Sequence, residues 1–383
     1  MNDLKVNKKQ KNFGLQILRS IACIFIFLSH YNAFHHLTGY FDAGGFGVSI
    51  FIVLSGFLKI VYVKNNNSNE QFETSLIYNF LRKTVTKFKK IYPLHIFTML
   101  LAIPFEFTMI IAGEVSVFHL IFSLFLNLFM IQSFIPLGSY YFSLNAVSWY
   151  LSLVLIFTLA GDLLVIICNI IHKKVKTFGA IIFWISLQII LTLIFQFNSH
   201  FHWLLYINPF TRCIDFALGI TIGVAFRNSY NRTKSNGLLL VYAGISLLLT
   251  ILGIIISHVT MKTKYEAWSL AVCFTPASLM LVLTFALYAV QVCAPPRYII
   301  EPIIKFSDIT MEFFLLHQLL CRYICSFLKQ VNLFVFTTSN LLAGMFVTFS
   351  AFLLICFLSK LWEIVFKKID FCSLKRTKTR KIL

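Results

Sequence analysis

Apolar residues along this chain come in long unbroken runs, separated by short clusters of Lys and Arg. A helix that is apolar on every face belongs inside a large core or in lipid, and about 20 such residues are enough to cross a bilayer. Eleven stretches approach that length: Phe13–Phe34, Gly44–Val63, Ile91–Ala112, Val117–Phe134, Val147–Ile171, Phe178–Phe197, Leu205–Phe226, Gly237–Ser257, Trp268–Val292, Phe306–Leu328 and Leu341–Phe366. The first runs on into polar sequence without a small-residue cleavage pattern, so it reads as a span and not as a cleaved signal.

Positive charge then orders the runs. Basic residues gather at Lys5–Lys11, between Lys64 and Lys90, and at Lys173–Lys176, Arg227–Lys234, Arg297–Lys305 and Lys367–Lys381. Such clusters favour the cytoplasmic side. Three apolar stretches lie between Lys90 and Lys173, and an odd number there would put the early and late clusters on opposite faces. Demoting the weakest, Val117–Phe134, to a re-entrant or in-plane segment leaves ten spans. Both termini are then cytoplasmic, and Lys262, Lys264 and Lys329 lie outside. The expectation is an all-α, polytopic integral membrane helical bundle. It has one membrane domain at 13–366, between basic cytoplasmic ends at 1–12 and 367–383.

Composition agrees. Of 383 residues, 58% are hydrophobic, 12% are charged and 43 are Phe; mean hydropathy is +0.82. A soluble protein this apolar could not cover its surface with polar atoms, so the lipid bilayer is the first expected partner. The net charge of +19 could suggest nucleic acid, but its distribution is that of orientation signals, and nucleic acid is excluded as a partner. Nine cysteines, most of them inside apolar stretches and none at metal-ligand spacing, read as small hydrophobes, with Cys321 and Cys325 one turn apart as a conceivable redox pair. His35, His36, His200 and His202 lack acidic partners at ligand spacing, so no metal site is expected.

Ionisable residues in lipid need a reason. Lys59 and Lys360 lie near span ends and can snorkel; Glu106 and Asp162 also lie near ends and read as structural. Arg19 and His30 are more informative. Eleven positions separate them, three helical turns plus about 20°, so they share one face with roughly 16 Å between them along the axis. One reading is two satisfied polar residues in a bundle. The other is a conduit in which Arg19 holds an anionic group and His30, able to take and give a proton near neutrality, works at the reacting end. Arg212 and Asp215, three apart, suggest an in-membrane ion pair. His317 is mid-span with Glu312 as a candidate neighbour, and is either hydrogen-bond filler or part of a site. Lys87 and Lys90 are topological signals or a phosphate grip.

Several separate segments resemble the bacterial membrane acyltransferase-3 family, whose members O-acylate surface carbohydrates. Leu15–His30 (LQILRSIACIFIFLSH) is similar to its first span, with ten residues between an Arg and a His. Gly45–Leu58 (GFGVSIFIVLSGFL) is similar to its glycine-rich second span ending in Ser-Gly-Phe, which contributes Ser55. Lys87–Pro93 (KFKKIYP) resembles its basic pair before Ile-Tyr-Pro, with Lys in place of Arg. Asn208–Gly219 (NPFTRCIDFALG), Ser307–Gln318 (SDITMEFFLLHQ) and Trp149–Val154 (WYLSLV) resemble three later motifs.

The resemblance implies an O-acyltransferase in the bacterial cell membrane, with acetyl as the family's commonest group. It moves an acyl group from cytoplasmic acyl-CoA to a hydroxyl of a surface or secreted polysaccharide, or of its lipid-linked glycan precursor. No bound cofactor is implied; acyl-CoA, in the acetyl case acetyl-CoA, is the donor substrate. His30 and Arg19 become the catalytic pair, and Lys87 and Lys90 bind the donor. Arg212, Asp215, His317, Ser55 and Trp149 support them. Many members carry Glu where Val154 stands, so another carboxylate, such as Asp215, would have to serve. Lysines also lack the bidentate fork with which Arg reads phosphate. A transporter or export component for a glycan, without acyl transfer, is the alternative, since buried Arg, His and Asp also line transport routes. A structural subunit of a glycan synthase would leave the Arg19–His30 spacing unexplained.

Overall fold

A computed structural model describes residues 12–31, 44–61, 74–229, 236–291 and 295–379. The N-terminal lysines, His35, His36 and the Asn65–Asn69 tract lie outside them. The described chain is helical: α1 Phe13–Tyr31, α2 Gly44–Val61, α3 Thr74–Ile111, α4 Val117–Leu128, α5 Gly138–Tyr141, α6 Trp149–Leu159, α7 Gly161–Phe195, α8 Pro209–Ser229, α9 Asn236–Thr260, α10 Ala271–Gln291, α11 Arg297–Asp308, α12 Thr310–Gln330, α13 Phe334–Ser339 and α14 Leu341–Thr379. Among the described residues nine helices are long and apolar enough to cross a membrane. Local signals set some of their ends. The Asn12 side chain accepts a hydrogen bond from Leu15 N–H and opens α1, and Ser116 does the same for His119 N–H at the start of α4; both are N-cap geometries.

Helix α7 holds a reversal. Lys176 has φ 58° and ψ −175°. Before it, Cys168 bonds the Ala217 carbonyl; after it, Gln188 bonds Asp215, two positions away on α8. A straight helix would hold residues 168 and 188 about 30 Å apart. The chain therefore turns back at Lys176, inside the basic cluster expected between two spans. Helix α4 has 12 residues, about 18 Å against the ~30 Å of a hydrocarbon core, so the Val117–Phe134 stretch does not cross as a helix.

Non-helical backbone at membrane depth survives only where protein or a cavity covers it. Between Phe129 and Ser148, just after α4, the chain is irregular, with positive φ at Met130 and Leu144, and side chains satisfy it. Asn127 donates to Ser143 Oγ and accepts from Ser148 Oγ, both at 2.9 Å. Gln132 donates to the Ser148 carbonyl, Ser133 to the Trp149 carbonyl, and the Trp203 indole to the Ser133 carbonyl. His95 Nε2 lies 2.8 Å from the Asn127 carbonyl. Leu144 is held from both ends: Glu106 accepts its N–H and Arg322 donates to its carbonyl, each at 3.0 Å. Glu106 is thus a buried clamp, working with Arg322.

Helix packing rests on close backbone approach. Lipid supplies no hydrophobic force between helices, so tight association needs small residues at the seam. Helices α2 and α8 run side by side. A Cβ placed on Gly56 would lie 2.1 Å from the Phe216 carbonyl oxygen, and one on Gly219 would lie 2.1 Å from the Val53 oxygen. Phe57 packs edge-on against Phe226 lower in the same seam, and Phe157 of α6 stacks on Phe216. Gly56→Val is expected to force the seam apart, costing about 1–3 kcal/mol or more, and to abolish the monodisperse peak in detergent size-exclusion chromatography. A normal peak and melting temperature would refute this seam.

Candidate functional site

Residues three and four apart on a helix share a face, and one such row on α1 holds Arg19, Cys23, Phe27 and His30. The last three meet α12 or its first carbonyl. Arg19 lies within electrostatic reach of Asp308, just before α12. Cys23 Sγ approaches the Thr310 carbonyl at 3.9 Å, and Phe27 meets Phe313 edge-on at 5.5 Å. The His30 ring lies 5.1 Å from that of His317, and Cys321 Sγ reaches the His30 carbonyl. The face shared by Arg19 and His30 is therefore the face that meets α12.

His317 is 1% exposed. Its Nδ1 lies 2.7 Å from the Phe314 carbonyl. A carbonyl only accepts, so Nδ1 carries the proton and donates. Nε2 is then the acceptor nitrogen, and it is buried with no hydrogen-bond partner. Its ring neighbours are His30, Phe313 and Phe314. The two imidazoles are thus held together, one in a fixed tautomer.

The direct seam between Arg19 and His30 is closed. Phe27 and Phe313, 2% and 0% exposed, fill it together with Phe352. Polar groups continue instead along α6. Tyr150 is buried, beside Ser55 and within electrostatic reach of both Arg19 and Arg212. Ser55 gives its own proton to the Phe51 carbonyl at 2.7 Å. On its other side Tyr150 packs edge-on against Phe314, next to His317. Sequence reasoning named Trp149 and missed Tyr150, which looked like one more aromatic in an apolar run. Trp149 is buried against Tyr206, and the Arg212 guanidinium lies 5.4 Å from the centre of the Tyr206 ring.

Arg212 and Asp215 form a separate buried network. Arg212 Nη1 lies 2.9 Å from Asp215 Oδ2, an ion pair without directed hydrogen-bond geometry, and both side chains are 1% exposed. Arg212 Nη2 donates to Ser49 Oγ. Asp215 Oδ1 accepts from Gln188 and Thr275 at 3.0 and 2.8 Å. The carboxylate sequence reasoning offered as a stand-in for the Glu missing at Val154 is already engaged by α7, α8 and α10.

At the basic ends of the helices, Lys87 is surface-exposed and donates to Thr158 Oγ1 at 3.0 Å, while Lys90 is exposed. Lys59, which sequence reasoning let snorkel, pairs with Asp162 at 2.6 Å. Elsewhere, outside the spans, His202 lies among Tyr141, Phe142 and Tyr206, and burial there lowers its pKa from the ordinary value. Among the described residues no three His, Cys, Asp or Glu side chains gather so as to hold a metal ion.

A multi-pass membrane bundle with paired imidazoles at one end of a helix row and a guanidinium at the other defines a membrane protein with buried acid–base groups. Residues 12–360 match the acyltransferase-3 family, described as an acyltransferase domain, so the chain belongs to that family. No curated protein and no solved structure matches it. The Arg212–Asp215 pair yields a stability test. Asp215→Ala leaves a guanidinium buried and unpaired, and is expected to cost about 3–5 kcal/mol, whereas Arg212→Met with Asp215→Leu costs less. Melting temperatures in detergent check this; an Asp215→Ala protein as stable as the wild type would refute it.

Proposed function

We propose that this membrane acyltransferase transfers an acyl group, with acetyl favoured, from cytoplasmic acyl-CoA to a hydroxyl of a cell-surface or secreted polysaccharide or of its lipid-linked precursor. On this reading the termini are cytoplasmic, as the positive-inside distribution favours, and the membrane is the bacterial cell membrane. Lys87 and Lys90 hold donor phosphates. Arg19 offsets negative charge on the donor or on the developing oxyanion. His30 accepts the proton of the acceptor hydroxyl as its oxygen attacks the thioester carbonyl, and that proton leaves on the coenzyme A thiol. Acyl-histidine chemistry at His30 would use the same nitrogen as a nucleophile. His317 is the second imidazole, presenting its acceptor nitrogen within the pair.

One observation carries this reading: Arg19 and His30 stand on the same row of α1, and the far end of that row meets a second imidazole, His317, at 5.1 Å. Two isolated polar residues satisfied by a bundle would not need a second titratable ring there. With Phe27 and Phe313 closing the direct seam, the acyl chain passes on the α6 side, by Tyr150 and Phe314. Water is excluded from that side by packed aromatics, which suppresses hydrolysis of the thioester.

His30→Ala tests the reading. With membrane abundance equal to wild type, acyl signals in NMR spectra of the surface glycan are expected to fall at least about a hundredfold, the range of a lost general base, while glycan export continues. Unchanged acylation, or loss of export of an otherwise unmodified glycan, would overturn it in favour of a transport role.

A further inference from the structure

Four helices meet where the basic residues cluster. Lys59 comes from the end of α2, Lys87 from α3, Thr158 from the end of α6, and Asp162 from the start of α7. Lys59 Nζ lies 2.6 Å from Asp162 Oδ1, with side chains 24% and 55% exposed. Lys87 Nζ donates to Thr158 Oγ1 at 3.0 Å and is near enough to Lys59 for the two charges to act on each other. Gly161 leaves space for the lysine tip, since a Cβ there would lie 3.3 Å from Lys59 Nζ. Among the described residues, Lys59 meets the Asp162 carboxylate and Lys87 meets the Thr158 hydroxyl, which gives its own proton to the Val154 carbonyl; Lys89 and Lys90 stand exposed on the same stretch of α3.

Each ammonium has three donors, and one carboxylate does not neutralise two of them. An ion pair this exposed is weak and screened, so a group with more charge and more acceptor oxygens can replace it. A phosphate ester is such a group.

We propose that Lys59 and Lys87 form a phosphate subsite in which Thr158 positions Lys87 and the Asp162 carboxylate holds Lys59 until a phosphate ester displaces it. The inference rests on the acyl-CoA reading, and the phosphate ester is then one carried by the donor. An anionic lipid headgroup presents the same chemistry, so the test separates the two sources. Lys59 is a binding residue on this account, and Asp162 is a built-in competitor that sets donor affinity.

The test is calorimetric titration of coenzyme A into the full-length protein in phosphatidylcholine nanodiscs, repeated in discs containing phosphatidylglycerol. Lys59→Gln is expected to weaken coenzyme A binding about tenfold, as for a lost charge-assisted contact. Asp162→Asn is expected to tighten it about threefold by removing a weak competitor, and the double variant to behave like Lys59→Gln. Melting temperatures of all three should stay near wild type. Phosphatidylglycerol should weaken coenzyme A binding by the same factor in wild type and in Lys59→Gln. Unchanged coenzyme A binding in Lys59→Gln would overturn the subsite. So would weaker binding in both single variants with a shared fall in melting temperature, which marks a structural staple. An effect of Lys59→Gln seen only with phosphatidylglycerol would assign the site to lipid and overturn the donor. A wild-type protein that binds no coenzyme A would instead sink the acyl-CoA reading itself.

Discussion

Hydrocarbon offers no partner to a hydrogen-bonding group, and that constraint accounts for most of the specific features of this protein. Every polar side chain drawn into the bundle has to be answered by another part of the chain. Asp215 is answered by Arg212, Gln188 and Thr275. The irregular backbone after α4 is answered by Asn127, Gln132, Ser133, Ser148 and Trp203, and Leu144 by Glu106 and Arg322. His317 is one of several buried polar groups answered only in part. One of its nitrogens is satisfied by a carbonyl and the other is buried without a partner, beside His30.

The scaffold holds those groups in place through the glycine-lined seam of α2 and α8. Backbones this close leave little freedom for either helix. Arg212 sits on α8 opposite Ser49 of α2. Ser55, on the same α2, lies beside the Tyr150 phenol, which is within electrostatic reach of Arg19 and Arg212. Packing in the seam is thereby converted into the position of a phenol, and through Phe314 into the surroundings of the imidazole pair. The acyltransferase family assignment gives those surroundings a chemistry; the packing gives them a shape.

Much of this was legible in the sequence. Apolar runs and basic clusters carried the all-α membrane architecture, and the parity of the clusters singled out the stretch that α4 leaves short of a crossing. The turn at Lys176 lies inside a basic cluster for the same reason. The eleven-residue interval from Arg19 to His30 reported a common face because helical geometry is periodic. The hidden features depend on contacts between distant segments. Nothing local in Tyr150 distinguishes it from its aromatic neighbours, and only the fold puts it beside Ser55. Lys59 and Asp162 each lie near a helix end, where snorkelling is the simplest account, yet 103 positions of chain bring them together. The closure of the Arg19–His30 seam by Phe27 and Phe313 was equally invisible, since a 3.6-residue period says which face two residues share and not what the facing helix puts between them.

The proposed function requires an acyl group to enter from the side of the basic residues and to be delivered at the imidazole pair. Sealed proteoliposomes with the basic face outward, loaded internally with a glycan acceptor, measure this directly when acyl-labelled coenzyme A thioester is added outside. The account predicts label on the enclosed acceptor and free coenzyme A remaining outside. Label on acceptor supplied from the same side as the donor, with none on the enclosed glycan, would contradict it.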